Sequence, residues 1–184
     1  MKVPKAAVLA FAFSDCALKQ RLADKLCASY GRWLGGFRTR ELREGNARAG
    51  FEVEALGGGR AVLASRTLVS PVAFNKYAVS LPALEATALG GLEAAAAGGK
   101  AILFDELGPM SLLSPSFSAR AVELLFSGRP CLVFFRRGAK LFEDAFSRAA
   151  DTVIIELAPE SWAEAVAASE RFMDGAVAEL EKPK

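Results

Sequence analysis

Two adjacent acidic residues end a hydrophobic segment in the stretch AILFDELGPM, residues 101–110. Residues 101–104 are apolar, which is typical of a strand buried on both faces, and Asp105 and Glu106 follow directly. A buried carboxylate must be paired, hydrogen-bonded or bound to a metal, because removing it from water is costly. The pattern indicates a position that handles magnesium and water in nucleotide hydrolysis, with Asp105 on the metal and Glu106 on the water. The alternative is a solvated strand end, or one that caps a neighbouring helix.

The sequence contains no histidine, which excludes the Ser-His and Cys-His nucleophile systems and removes the commonest zinc ligand. Carboxylates, cations and backbone amides remain, and this set suits phosphoryl transfer better than acyl transfer.

The three cysteines, Cys16, Cys27 and Cys131, are odd in number and widely spaced. They therefore indicate neither a disulfide framework nor a structural zinc site.

Several cations could contact phosphate. Arg136 and Arg137 follow the apolar run CLVFF, so they lie at the carboxyl end of a predicted strand, the edge where α/β domains bind ligands. Equally, they could simply begin a polar loop. Lys19 could also contact phosphate, but its charged neighbours on the first helix favour a position that faces solvent.

Four arginines, at positions 38, 40, 43 and 48, follow one another closely. On one strand Arg38 and Arg40 must share a face, where they could hold an anion or a nucleic acid strand. The alternative, which we favour, is an exposed face linked by ion pairs to nearby glutamates. Those glutamates are Glu41, Glu44 and Glu52.

Short apolar runs alternate with longer helical patterns along the chain. The predicted strands are 6–12, 101–105, 131–135 and 152–157, and the predicted helices are 18–30, 81–97, 116–126, 141–150 and a closing helix after Pro159. This order predicts an α/β fold with a mostly parallel sheet. Residues 36–65 alternate polar with apolar side chains between glycine turns, which predicts an inserted antiparallel hairpin or three-stranded meander.

Composition fits one domain over residues 1–184. The chain is 52% hydrophobic and has a formal charge of +2 with acids and bases interleaved. It lacks the basic stripe that nucleic acid binding requires, so we expect no nucleic acid partner. The apolar runs are too short to span a membrane, and we expect a cytoplasmic protein.

Three segments resemble the cancer-related (thermostable) nucleoside-triphosphatase family, which has the P-loop NTPase fold and is related to nucleotide kinases. The first segment matches at Gly36, Phe37, Thr39, Glu41, Arg43, Gly45, Arg48, Gly50 and Phe51. The second matches at Lys76, Tyr77 and Val79, with Asn75 in place of a glycine. The third is the Walker B run, with Asp105, Glu106, Leu107, Gly108, Met110, Leu112, Ser114 and Phe117, and Ser111 where an acid is usual.

The resemblance fails at the amino terminus. The family has a glycine-rich loop, G-x-x-G-x-G-K-T/S, after its first strand, whereas this chain has AFAFSDCALKQRL and no glycine before Tyr30. Such a loop needs glycines, because its backbone amides must approach the phosphates unobstructed. We expect Phe11 and Phe13 to crowd the phosphate cavity, and Asp15 to add a charge of the wrong sign. The Walker A loop is therefore predicted to be degenerate.

The resemblance implies a three-layer P-loop-NTPase-like fold, and it implies roles for individual residues. Glu106 and Lys19 would be catalytic, Asp105 would bind the metal, and Mg²⁺ would be required only if nucleotide is bound. The expected nucleotide contacts are Arg48, Lys76, Tyr77, Arg136 and Arg137. We interpret the chain as a degenerate family member that binds a ligand or a protein partner. The alternatives are an active nucleoside-triphosphatase with a non-standard phosphate loop, whose substrate is a nucleoside triphosphate, and a kinase-like transferase.

Overall fold

The computed structural model describes residues 7–182, which form one mixed β-sheet with helices on both faces. The strands are β1 (Val8–Phe13), β2 (Leu34–Glu44), β3 (Ala47–Ala55), β4 (Arg60–Ser65), β5 (Ala73–Phe74), β6 (Tyr77–Val79), β7 (Ala101–Leu107), β8 (Cys131–Arg136) and β9 (Thr152–Leu157). The helices are α1 (Cys16–Tyr30), α2 (Leu81–Ala83), α3 (Gly90–Ala97), α4 (Pro115–Leu125), α5 (Lys140–Arg148) and α6 (Trp162–Leu180). A π-helical segment, Leu84–Leu89, joins α2 to α3, and a 3-10 turn spans Ser111–Leu113.

The strand order is β5-β6-β4-β3-β2-β7-β8-β1-β9. Strands β2, β7, β8, β1 and β9 run parallel, and β3 to β6 continue the sheet in antiparallel pairs. The predicted α/β fold with a mostly parallel central sheet and an antiparallel meander is confirmed. One boundary differs, because β2 begins at Leu34 and its first four residues pair with β7. Strand β2 therefore belongs both to the parallel sheet and to the meander.

The sheet separates two apolar layers, since successive residues of a strand face opposite sides. Leu9, Phe11 and Phe13 of β1 pack with α1 and α6 on one face. Val8 and Ala10 lie on the other face, which is covered by the π-helical segment, α3, α4 and α5. Among the described residues, no helix combines the length and apolar character that crossing a bilayer requires.

Two glycines bring β2 close to its neighbours. Gly36 has φ of +111°, and a Cβ atom there would lie 2.1 Å from the carbonyl oxygen of Leu103 on β7. A Cβ atom at Gly91 of α3 would lie 2.4 Å from the carbonyl oxygen of Gly36. Both contacts are shorter than side chains tolerate, so glycine is required at each position. This close packing holds the residues after Gly36 beside the carboxyl end of β7.

Candidate functional site

Only two residues, Ser14 and Asp15, connect β1 to α1. Asp15 is the N-cap of α1, and its Oδ1 accepts hydrogen bonds from the backbone N–H groups of Ala17 at 2.7 Å and Leu18 at 3.3 Å. Free N–H groups at a helix start form an anion site. Here the chain's own carboxylate uses two of them.

The two phenylalanines of β1 do not crowd a phosphate cavity in the way the sequence led us to expect. Both side chains are fully buried in the layer under α1 and α6, and the ring of Phe11 stacks on Phe134 with 5.2 Å between centroids. That expectation is wrong for both rings, because strand β1 extends to Phe13 and both rings face the core. The ring of Phe13 instead lies 5.9 Å from Nζ of Lys19 and 5.0 Å from Cζ of Arg136.

Lys19 is buried, and the expectation that it faces solvent is wrong. Lys19 is 3% exposed and lies on the same face of α1 as the buried Leu22, Ala23 and Leu26. Its Nζ donates hydrogen bonds to Oδ1 of Asp105 at 2.5 Å and to the carbonyl oxygen of Thr39 at 2.9 Å. The inner face of α1 therefore meets the middle of β2 and the carboxyl end of β7.

Asp105 is fully buried, so the alternative of a solvated strand end is wrong for this residue. While Oδ1 accepts from Lys19, Oδ2 lies 3.4 Å from Nε of Arg38 on β2. The Arg38 residue is itself 2% exposed, and its NH1 donates to Oδ1 of Asp24 on α1 at 2.7 Å. Both carboxylate oxygens of Asp105 therefore face a cation of the chain.

The environment of Arg38 keeps it charged. Burial alone would lower the pKa of its guanidinium, but the hydrogen bond to Asp24 and the negative charge of Asp105 outweigh burial and raise that pKa. For Asp24, burial would raise the pKa of the carboxyl, and the hydrogen bond and charge of Arg38 lower it. Both pKa shifts favour the charged forms of Arg38 and Asp24, which join β2 to α1.

Glu106 follows Asp105 at an irregularity in the pairing of β7 with β8. Such a bulge can redirect a side chain. Oε1 of Glu106 accepts from Nε of Arg136 at 3.2 Å, and Oε2 lies 3.7 Å from Nζ of Lys19. NH2 of Arg136 also lies 3.3 Å from Sγ of Cys16. Burial alone would lower the pKa of Arg136, but the charge of Glu106 and the contact with Cys16 together raise it.

These side chains form one charge cluster with equal numbers of cations and carboxylates. Its cations are Lys19, Arg38 and Arg136, and its carboxylates are Asp24, Asp105 and Glu106. Arg40 extends the ion pairs from Asp24 to Glu54, so the cations and carboxylates of the chain face one another across the cluster.

The family resemblance implies a magnesium ion at Asp105, and the residues present do not fit one. Both oxygens of Asp105 already face cations of the chain, and α1 begins with Cys16 and Ala17, which carry no hydroxyl ligand. Within residues 7–182, no group of three His, Cys, Asp or Glu side chains is arranged to hold a metal. Mg²⁺ needs several oxygen ligands, and this donor set does not supply them.

Two adjoining clefts open beside the charge cluster, and they share Thr39, Phe51 and Glu106. The helix-side cleft has a volume of about 290 Å³ and also contacts Cys16, Ala17, Lys19, Gln20, Arg40 and Glu41. The meander-side cleft has a volume of about 260 Å³. Its other lining residues are Phe37, Arg48, Leu63, Phe74, Asn75, Tyr77, Leu84, Gly108, Pro109, Met110, Ser111 and Arg136.

The residues expected to contact nucleotide do not all lie together. Arg48, Tyr77 and Arg136 line the meander-side cleft. Lys76 is exposed beside it, with Nζ 5.5 Å from the ring centroid of Tyr77. Arg137 is ion-paired with Glu156 of β9 and lines neither cleft. The structure thus groups three of these five residues with Lys19, Asp105 and Glu106.

The arginines of the meander divide into two groups. Arg43 and Arg48 form ion pairs with Glu41, as expected for a salt-linked surface. Arg38 and Arg40 share the face toward α1, as predicted, since both contact Asp24. The burial of Arg38 was missed, because the sequence does not show that α1 covers this part of β2.

Thr39, which lies between the two clefts, was noted only as part of the matching segment.

Comparison with known proteins gives consistent matches. A family model described as NTPase matches residues 17–168, so the match begins after β1 and the Ser14–Asp15 connection. The nucleoside-triphosphatase THEP1 of Thermotoga maritima is 35% identical over 123 residues, which are 67% of this chain and 71% of that protein.

Two solved structures share the fold. THEP1 from the hyperthermophile Aquifex aeolicus superposes with a TM-score of 0.73 at 22% identity, covering 95% of this chain and 99% of the other. A human cancer-related nucleoside triphosphatase superposes with a TM-score of 0.63 at 25% identity, covering 98% and 100% of the two chains.

Proposed function

Starting from the fact that this chain belongs to the THEP1 nucleoside-triphosphatase family, we propose that it has lost phosphate-loop nucleotide binding and acts as a ligand- or partner-binding domain. The observation that carries the proposal is the connection from β1 to α1. It consists of two residues, and Asp15 accepts hydrogen bonds from the N–H groups of Ala17 and Leu18. A phosphate would need those amides.

Electrostatics at this connection also oppose a phosphate. A phosphate oxygen near the start of α1 would approach the Asp15 carboxylate, and two like unit charges about 4 Å apart repel by roughly 4 kcal/mol at a protein surface. Removing the carboxylate would relieve the repulsion, but it would leave the first turn of α1 without its cap. The helix start therefore favours the chain's own carboxylate over an external anion.

Lys19, the residue of α1 that could replace a phosphate-loop lysine, is engaged by Asp105 and Thr39. To reach a phosphate it would have to leave Asp105, which would then face Arg38 alone. Separating a buried ion pair in this way costs about 3–5 kcal/mol when nothing replaces the lost partner. Because the donor set also does not fit Mg²⁺, we assign no step to a metal.

One observation favours the alternative, an active nucleoside-triphosphatase with a non-standard phosphate loop. Lys19, Asp105, Glu106 and Arg136 form one cluster, and two of them line the helix-side cleft. In this alternative Lys19 and Arg136 would bind phosphate after rearrangement, and Glu106 would orient the attacking water. The relative from Thermotoga maritima is itself named a nucleoside-triphosphatase.

A phosphate-release assay separates the two functions. The wild-type chain and the Glu106→Gln variant are incubated with ATP, GTP, CTP or UTP and magnesium, with the Thermotoga maritima relative as the positive control. We expect no release above background from either form of this chain. Release by the wild type that is abolished in Glu106→Gln would instead establish the alternative. Equal release by both forms that persists after repurification would also contradict the proposed loss of function, since hydrolysis would then not require Glu106.

A further inference from the structure

Strand β9 forms the edge of the sheet that lies farthest from the meander, and among the described strands it pairs only with β1. The N–H of Val8 on β1 donates to the carbonyl of Asp151 at 3.2 Å, so the odd-numbered residues of β9 direct their backbone groups toward β1. The even-numbered residues, Thr152, Ile154 and Glu156, therefore direct theirs away from the sheet.

Part of this outward row is already used within the chain. The N–H of Thr152 donates to the carbonyl of Ala149, and the carbonyl of Glu156 accepts from the hydroxyl of Ser161. Within residues 7–182, the carbonyl of Thr152, both groups of Ile154 and the N–H of Glu156 form no hydrogen bond. Free backbone groups on an edge strand are a template for another strand.

The side chains of β9 do not protect this edge. Val153 is 46% exposed and Ile154 is 43% exposed. The strand contains neither lysine nor proline and pairs with β1 without a bulge, although these are the usual devices that keep edges apart. At the opposite edge β5 is only two residues long, which is itself a protection. The β9 edge is therefore the one suited to a partner strand.

A second copy of β9 fits this edge in one antiparallel register. With a two-fold axis at Ile154, the N–H and carbonyl of Ile154 bond to the same residue of the second copy, and the Thr152 carbonyl accepts from the second copy's Glu156 N–H. All the free groups are then paired. A shift by two residues in either direction leaves one group of Ile154 unpaired, because the Thr152 N–H and the Glu156 carbonyl are already used.

The same register covers the exposed apolar side chains. Ile154 lies against Ile154 of the second copy on one face of the sheet. On the other face Val153 lies directly opposite Ile155 of the second copy. Directly opposite apolar side chains are the pairs that stabilise antiparallel sheets.

Charges at the two ends of β9 are complementary. Arg148 lies before the strand and Glu160 lies after it; both are exposed, and within residues 7–182 neither forms an ion pair. Antiparallel pairing brings the start of one strand beside the end of the other, so each Arg148 lies at the same end as Glu160 of the second copy. Glu156 is already paired with Arg137.

We propose that β9 pairs with β9 of a second copy of this chain, which joins the two sheets across a two-fold axis at Ile154. Such an interface is closed, because the same surface is used on both copies. No residue of β9 lines either cleft, so the dimer is independent of the proposed function.

Sedimentation velocity of the full chain over a series of concentrations tests the dimer. We expect a Kd on the order of 10 µM, since one strand pair makes a small interface. Ile154→Lys should raise the Kd at least about tenfold, because a lysine on an edge strand opposes pairing. Val62→Lys is the matched control: Val62 is 42% exposed on β4, inside the sheet, and its replacement should leave the Kd unchanged.

A charge exchange tests the ends of the interface without changing a buried residue. Arg148→Glu should raise the Kd about fivefold, because two acids would then meet at each end. Combining Arg148→Glu with Glu160→Arg restores opposite charges and should return the Kd to the wild-type value.

Disulfide formation under mild oxidation tests the register. Ile154→Cys places two thiols across the axis with Cα atoms about 5.5 Å apart, which a disulfide can bridge. Val153→Cys should not link, since its two Cα atoms would be more than about 7 Å apart. The wild-type chain, with its own three cysteines, gives the background.

A chain that stays monomeric at every concentration, a dimer that Ile154→Lys leaves intact, or a disulfide in Val153→Cys but not in Ile154→Cys would each overturn the proposal. A dimer that the charge exchange does not restore would also contradict it. These measurements contain no nucleotide, so their failure would leave the proposed function unchanged.

Discussion

Lys19 on α1 and Asp105 on β7 form a buried ion pair, with 2.5 Å between Nζ and Oδ1 and side chains that are 4% and 0% exposed. In the resembling family these positions would serve a bound nucleotide and its metal. Here Lys19 and Asp105 neutralise each other, and Arg38 is a second cation beside Asp105. The same side chains thus stabilise the contact between the first helix and the sheet.

Replacing Lys19 with Met should destabilise the protein by about 3 kcal/mol, because Asp105 would stay buried with Arg38 as its remaining partner. Lys25→Met makes the same substitution on the same helix in an exposed ion pair with Glu170, and should cost less than about 1 kcal/mol. Urea unfolding of the three proteins measures both values. Equal, small losses would show that the buried pair contributes nothing specific.

Asp15→Ala should lower the free energy of unfolding by about 1 kcal/mol, because the N–H groups of Ala17 and Leu18 lose their acceptor. Asp15→Asn keeps a capping oxygen and should recover most of that loss. Thermal unfolding followed by circular dichroism measures the difference. If alanine and asparagine behaved alike, the carboxylate would not be capping the helix.

Much of the arrangement could be predicted from local sequence. The apolar run 101–104 followed by two acids located the end of β7, and the alternation in residues 36–65 located the meander. The alternation also placed Arg38 and Arg40 on one face. These features depend on residues close together in the chain, where periodicity determines which side chains share a face.

Burial of individual charges could not be predicted in the same way. Lys19 and Arg38 are ordinary charged residues by composition, and their partners lie 86 and 67 positions away at Asp105. Only the packing of α1 over β2 and β7 brings these charges together. The short hairpin of β5 and β6 was also missed, because two and three residues are too few to show a period.

Gly36→Ala should destabilise the fold severely, by more than about 3 kcal/mol, since its Cβ would overlap the Leu103 carbonyl and its φ of +111° disfavours a side chain. Gly57→Ala is the matched control. A Cβ atom at Gly57 meets nothing within 4 Å, and this change should be nearly neutral. Chemical denaturation compares the two variants. A stable Gly36→Ala protein would mean that β2 and β7 lie farther apart.

Stability should fall at high pH through Tyr30, which joins α1 to α6 by donating to Oδ1 of Asp174 at 2.8 Å. Burial and this hydrogen bond raise the pKa of Tyr30 from 10 to about 12. The neutral phenol is favoured in the folded state, so its contribution is complete below pH 10 and is lost as pH rises from 10 through 12.

Two variants isolate this effect. The stability difference between the wild type and Tyr30→Phe should shrink as pH rises over that range. The chain has two tyrosines, so Tyr77→Phe leaves Tyr30 as the sole phenol. Absorbance titration of that variant should give a midpoint near 12. A midpoint near 10, the ordinary value, would contradict the helix contact.

Isothermal titration of the wild-type protein with ATP and with GTP, each in excess Mg²⁺, tests the central claim most directly. Because Asp15 uses the amides at the start of α1 and Asp105 engages Lys19, we predict no saturable heat with a Kd tighter than about 1 mM. A micromolar Kd for either nucleotide would contradict the account, since the phosphates would then be held despite the Ser14–Asp15 connection.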